Sequence, residues 1–313
     1  MTYEGKDRRR PGTSRGRARR LIVTPEALRQ VKGIELRTRT LVNSLLTGEY
    51  RSVFRGQGIE FAEVRAYQLG DDFRSIDWNV SARMGHPFVK TYHEEREVTL
   101  LLVVDQSGSL QVGRPYTKAG LAVEVAAVLA LAAARHNDRV GALMFADTVE
   151  FVVRPAKGRG HALRVIRDLV AFRPRGRGTN LGEALRYAAK LLRHHSIVVV
   201  LSDFRAEGWE DPLGRLAARH DVVAVTVDDG REVELPDVGW VDMEDAETGR
   251  RVVLDTSHGP TRTRVRVAAE RQLQERARKL VQPRVDRVAL HTNVPYAVPL
   301  RRAFAERARR LKR

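Results

Sequence analysis

Thr99-Leu100-Leu101-Leu102-Val103-Val104-Asp105-Gln106-Ser107-Gly108-Ser109 is the stretch that decides the fold. Six residues, five of them large and apolar, end abruptly at an acid and two hydroxyls. This is the pattern of a strand buried on both faces that emerges at a sheet edge. In open α/β folds that carboxyl edge is where ligands bind. One carboxylate and two hydroxyls on a tight loop suit a hard divalent cation: magnesium takes oxygen ligands in a near-octahedral set and keeps several waters. An ion held by few anionic groups retains the capacity to take an incoming carboxylate.

Two downstream segments extend the pattern. Gly176-Arg177-Gly178-Thr179-Asn180-Leu181-Gly182-Glu183 is a glycine-rich loop running into a helix, with one threonine hydroxyl at its apex. Ser196 to Leu201 is a second buried strand, followed by Ser202-Asp203-Phe204. The order strand and D-x-S-x-S, then G-x-G-T-N, then strand and Ser-Asp resembles the metal-ion-dependent adhesion site of the von Willebrand factor A domain. Upstream, Arg55-Gly56-Gln57-Gly58-Ile59-Glu60-Phe61 leads to Arg65-Ala66-Tyr67-Gln68-Leu69-Gly70-Asp71-Asp72-Phe73-Arg74-Ser75-Ile76-Asp77-Trp78. Ala82-Arg83 and Glu94-Glu95-Arg96-Glu97 follow. This longer string is similar to the bacterial family known as domain of unknown function 58, over residues 35–310.

The resemblance implies a von Willebrand factor A-like domain associated with MoxR-type AAA+ ATPases and no established enzymatic activity. It implies a site of Asp105, Ser107, Ser109, Thr179 and Asp203 around Mg2+ or Mn2+, with Asp203 acting through water. The expected function is a non-enzymatic, metal-dependent protein-protein interaction module. It grips an acidic side chain of a partner and works as an adaptor or co-chaperone for the ATPase.

Alternative readings of single residues exist. Ser107 and Ser109 suit helix capping, and Asp203 suits a turn. Asp71, Asp72 and Asp77 form a candidate second acidic cluster, but pairing with Arg65, Arg74 and Arg83 to pin this region onto the sheet accounts for them better. His194-His195 is a poor metal pair, because adjacent helical positions point apart; an interaction with a helix end suits them better. Gly158-Arg159-Gly160-His161 could receive a phosphate at a helix start. No phosphate-binding Gly-x-x-x-x-Gly-Lys motif occurs, which argues against nucleotide hydrolysis by this chain.

Composition bounds the alternatives. With 313 residues and 42% hydrophobic content, the chain holds a core for one large domain plus an addition, or for two modest domains. It contains no cysteine, so disulfides, thiol catalysis and zinc-thiolate sites are excluded. The net charge of +17 concentrates at the ends: residues 1–20 hold eight Lys/Arg against two acids, and residues 301–313 hold seven against one. Basic ends support an alternative, nucleic-acid binding. A metal-dependent hydrolase is a third reading, weakened because only Glu183 lies near the motif loops as a base. Ala119 to Ala134 is interrupted by Glu124 and is too short to span a bilayer, so it reads as a buried helix. Without a signal segment the chain is expected to be cytoplasmic, with a membrane-bound partner left open.

The expected organisation is a basic, disordered tail over 1–20 and a helical and β-rich embellishment over 21–98. The von Willebrand factor A-like domain follows over 99–295, with a β-hairpin inserted near 232–255 and a basic helix over 296–313. The fold class is α/β, a doubly wound, mostly parallel sheet covered by helices on both faces. Asp147-Thr148 is read as a tight hairpin turn, making one strand antiparallel.

Overall fold

The computed structural model describes residues 21, 24–46, 58–95, 98–113, 116–232, 234–281 and 284–310. The tail expected over 1–20 lies outside these residues, as do Arg55, Gly56, Arg96 and Glu97 of the upstream string. The first element among the described residues is α1 (Pro25–Leu46), started by the Thr24 hydroxyl, which accepts from the Ala27 amide at 3.2 Å. Its apolar stripe, Ala27, Val31, Ile34, Leu41 and Val42, is buried, while Leu36 is 72% exposed, as the helical spacing requires. That stripe joins the same apolar cluster as the sheet, so this part of the 21–98 stretch belongs to the main core.

Next come β1 (Gly58–Ala66), α2 (Trp78–Met84) and β2 (Phe88–Glu95), where short strands and loops are expected from the sequence. The two strands pair antiparallel with a bulge between Phe61 and Glu63. Helix α2 was not legible in the sequence; Asp77 caps its start and Gly85, at φ 76°, closes it in the left-handed conformation.

The sheet is built from β3 (Thr99–Asp105), β4 (Arg139–Phe145), β5 (Val149–Ala156), β6 (Ile197–Ser202), β7 (Asp221–Asp228) and β10 (Val285–His291). Its order is β10-β7-β6-β3-β4-β5, and every pair is parallel except β4 with β5. This is the expected α/β, doubly wound, mostly parallel arrangement, with the Asp147-Thr148 turn producing the antiparallel edge.

Side chains alternate along β3. Leu100, Leu102 and Val104 face a cluster with α1, α4 (Lys118–Arg135) and α5 (Arg159–Ala171). Leu101 and Val103 face the opposite cluster with α6 (Leu181–Leu191) and α7 (Glu210–Ala217). The α3 turn (Gly108–Gln111) follows β3 directly. Helix α4 contains the run from Ala119 to Ala134 and is buried along nearly all its length. Among the described residues no helix is long and apolar enough to cross a membrane.

The inserted hairpin is β8 (Trp240–Glu244) with β9 (Arg251–Asp255), paired antiparallel outside the main sheet. Helix α8 (Gly259–Lys279) has no buried residue, and α9 (Ala297–Arg310) packs Leu300 and Phe304 into the first cluster.

Candidate metal centre

Strands β3 and β6 lie side by side in parallel, Leu100–Val104 against Ile197–Leu201, so Asp105 and Ser202 leave the sheet at the same edge. After β3 the chain turns to β4 on one side, and β6 is added on the other. The crevice between two such strands is the binding position of open α/β sheets. Asp105 is fully buried there: the Ser202 hydroxyl donates to one carboxylate oxygen at 2.6 Å and the Ser107 amide to the other at 2.9 Å. Among the described residues no cationic side chain pairs with it. Burial, and then the neighbouring charge of Asp203, push its carboxyl up to about 7, against the opposing pull of the Ser202 and Ser107 hydrogen bonds.

Ser107 occupies the N-cap position of α3 yet makes no capping bond. Its hydroxyl instead lies 3.2 Å from that of Ser109, which sets the capping reading aside for Ser107. Between them, the Gly108 amide donates to the Arg177 carbonyl at 2.7 Å, tying the first loop to the second. A Cβ on Gly108 would lie 2.2 Å from the Ala246 carbonyl, at the tip of the β8-β9 hairpin. In the second loop the Asn180 amide donates to the Ala146 carbonyl at 2.8 Å, and the Asn180 side chain caps α6 through the Glu183 amide at 3.0 Å. Thr179, at the apex, donates its hydroxyl to Glu247 of the hairpin tip at 2.7 Å.

Asp203 is buried but not alone. Lys118, the first residue of α4, sets its Nζ 2.9 Å from Asp203 and 2.7 Å from Glu232, with no solvent exposure of its own. A cation at the positive end of a helix is disfavoured unless acids meet it, as these two do. Arg205 also reaches Glu232, and the Arg205 amide donates to the second Asp203 oxygen at 3.2 Å, so Asp203 is a turn acid as well as a salt-bridge partner. Arg276 donates to the Asp203 carbonyl at 2.8 Å and forks onto Asp228 at 2.7 and 2.8 Å. Phe204, next in the chain, holds a left-handed φ of 52° and packs edge-on against Trp209, ring centroids 5.3 Å apart. A bulky residue at positive φ is a strained conformation of the kind found beside binding sites.

The five expected donors thus sit on three loops joined at one sheet edge. Their chemistry fits a hard divalent cation. Lys118 and Arg205 stand against Asp203 and Glu232, whereas Asp105 and Glu247 have no cationic partner among the described residues. Among the described residues no group of three or more His, Asp or Glu side chains could hold a metal, so hydroxyls would have to complete any such site. Lys118, Glu232 and Glu247 are the contributors that sequence reasoning missed. A lysine opening an otherwise apolar helix was the one available signal, since such a group cannot be buried unpaired.

Other candidates resolve differently. Arg65 grips Asp71 with two bonds of 2.7 and 2.8 Å, Asp72 accepts from the Arg74 amide at 2.9 Å, and Asp77 caps α2 and meets Lys90 at 3.3 Å. These acids brace the β1-β2 unit internally, which corrects the expectation that they pin it to the sheet. His194 and His195 lie beyond the end of α6; His195 is 4.0 Å from Asp221 and neighbours His220, which burial holds down to about 4. His161 bonds the Val140 carbonyl at 3.0 Å, a structural use of the Gly158 to His161 segment.

The sequence profile of the family Protein of unknown function DUF58 matches residues 63–276. Uncharacterized protein Rv1480 of Mycobacterium tuberculosis is 36% identical over 243 residues, covering 76% of each chain. Uncharacterized protein MAV169 of Mycobacterium avium is 39% identical over 99 residues, 30% of this chain and 59% of the other. Among solved structures, the conserved hypothetical protein BatB from Bacteroides thetaiotaomicron superposes with a TM-score of 0.45 and 18% identity, over 68% of this chain and 99% of that one. The SpRpn10 VWA domain superposes with a TM-score of 0.37 and 14% identity, over 65% and 93%.

Proposed function

This chain belongs to the DUF58 family, and on that footing we propose that it is a non-enzymatic interaction module that captures a partner's carboxylate through a divalent cation, magnesium or manganese. Asp105, Ser107, Ser109, Thr179 and Asp203 would hold the ion. The observation that carries this reading is the buried Asp105 carboxylate, met by hydroxyls and an amide and by no cation among the described residues. A carboxylate buried in that state is costly, and a cation beside it removes the cost. When bound, the ion supplies a positive centre with coordination positions for an acidic ligand.

The chain's own groups have distinct tasks. Ser202 and the Ser107 amide fix both Asp105 oxygens, while Ser107 and Ser109 present hydroxyl lone pairs from one loop. Lys118 neutralises Asp203, leaving that acid to act through water and keeping the centre attractive to a further carboxylate. Glu183, the acid that the sequence offered as a base near the motif loops, is turned toward Asn180 at the start of α6. The resemblance of the upstream string supports a MoxR-type AAA+ ATPase as the partner that the module supplies with acidic clients.

Calorimetry with magnesium tests the first step. Saturable binding is expected, with a rise in stability of about 2.7 kcal/mol at a hundredfold excess over the dissociation constant. Asp105→Ala should abolish binding, and Ser107→Ala combined with Ser109→Ala should abolish association with the partner while the fold persists. A pulldown that recovers an AAA+ ATPase only without chelator supports the proposal. A complex that forms equally well in chelator, or Asp105-dependent hydrolysis of a phosphoester or peptide, refutes it, and recovery of nucleic acid alone favours the basic-tail reading.

A further inference from the structure

The β8-β9 hairpin lies outside the main sheet, with Trp240 75% and Val253 59% exposed, yet its tip is seated against the candidate centre. Three local features place it there. The Asp245 side chain accepts the amides of Glu247 at 3.0 Å and Thr248 at 2.8 Å, a turn that fixes how Glu247 is presented. Gly249, at φ 72°, closes the turn in a conformation that glycine adopts without strain. Gly108 lacks the Cβ that would collide with the Ala246 carbonyl.

The group delivered is a carboxylate, half-buried, with no cationic partner among the described residues, and its bond is to the Thr179 hydroxyl at 2.7 Å. A threonine hydroxyl has one proton to donate and two lone pairs. Donation to Glu247 leaves the lone pairs of Thr179 for a cation, and brings an acidic oxygen beside a ligand of that cation. Charge points the same way, since neither Asp105 nor Glu247 has a cationic partner among the described residues.

We propose that Glu247 is an intramolecular ligand of the centre, holding the coordination position that a partner's carboxylate takes. The hairpin is then a built-in competitor, and a partner binds by displacing it. This rests on the metal-capture reading above, and the experiment separates the two.

Manganese alone is the probe, titrated into wild type, Glu247→Ala and Asp105→Ala. Affinity is read by calorimetry, and the waters on the bound ion by water-proton relaxation. Melting curves without metal confirm that each variant is folded, and Glu247→Asp, which keeps the carboxylate, serves as a second variant should Glu247→Ala fail to fold. Glu247→Ala should weaken binding by at least about tenfold, the loss that follows even when a group that only orients a metal ligand is removed, and should add one fast-exchanging water. Amide exchange across 240–255 should slow on manganese addition in wild type and not in Glu247→Ala. Unchanged affinity and water number in Glu247→Ala, with binding abolished in Asp105→Ala, overturns this proposal and leaves the capture reading standing. Weaker binding with an unchanged water number also overturns it, making Glu247 a positioning group for Thr179. Absence of manganese binding to wild type removes both.

Discussion

Asp71, Asp72 and Asp77 lie within one short stretch of sequence, whereas Asp105 and Asp203 come from far apart in the chain and meet at neighbouring strand ends. The first group sits near the surface of the β1-β2 unit, where an arginine fork, two backbone caps and a lysine satisfy each carboxylate locally. Arg65 in this way holds the Asp71 carboxyl below its ordinary range, and the amides of α2 do the same for Asp77. The second group is buried, and its members are treated unequally: Asp203 has Lys118, and Asp105 has only hydrogen-bond donors. Acids close in sequence are thus matched by their neighbours, while topology creates the mismatch that a ligand can exploit.

The contrast breaks hardest at Lys118. Lys118→Met would strand Asp203, while Glu232 keeps Arg205, and removing one partner of a buried pair costs roughly 3–5 kcal/mol. Urea denaturation at neutral pH measures it; a loss near zero would mean that solvent or another cation already serves Asp203.

Asp105→Asn is expected to act in the opposite direction and to depend on pH. The folded state keeps the Asp105 proton up to about 7, while the unfolded chain releases it near 3.8. The stability this group contributes is therefore complete below pH 4 and lost as pH rises toward 7. In metal-free protein the asparagine variant should equal wild type at low pH and exceed it at pH 8, by about 1.4 kcal/mol for each unit of upward shift. Saturating magnesium should cancel the advantage. A variant less stable than wild type at pH 8 without metal would show that the charge is tolerated where it lies.

The smallest effects belong to the surface group. Asp71→Asn and Asp77→Ala should each lower the melting temperature by no more than about 2 °C. The Asp71 effect should fade in high salt, because exposed pairs are screened. A larger drop would show that the β1-β2 unit and the main core unfold together.

The sheet was readable because buried parallel strands leave uninterrupted apolar runs. Ser107, Ser109, Thr179 and Asp203 were named because the order of the three loops resembles a known adhesion site, which the runs alone do not give. Helix α2 was hidden by its short length and by aromatic and β-branched residues that fit strands as well. Lys118 and Glu247 were hidden for another reason: their partners lie 85 and 68 residues away, and neither local spacing nor periodicity carries such distances. Glu247 was visible as part of a hairpin turn, but nothing in the turn indicates where its tip comes to rest.

Gly176 and Gly178 lead into Thr179, and a Cβ at either would fall 1.9 or 2.2 Å from the Asp147 carboxylate in the β4-β5 turn. The glycines are thus size partners of an aspartate at the sheet's edge, and mutational history at these positions has a direction. A side chain at 176 or 178 requires the exposed Asp147 side chain to turn away or to be made smaller. A smaller residue at 147 would relieve both contacts. The order in which substitutions arrive therefore bears on whether the threonine loop keeps its shape.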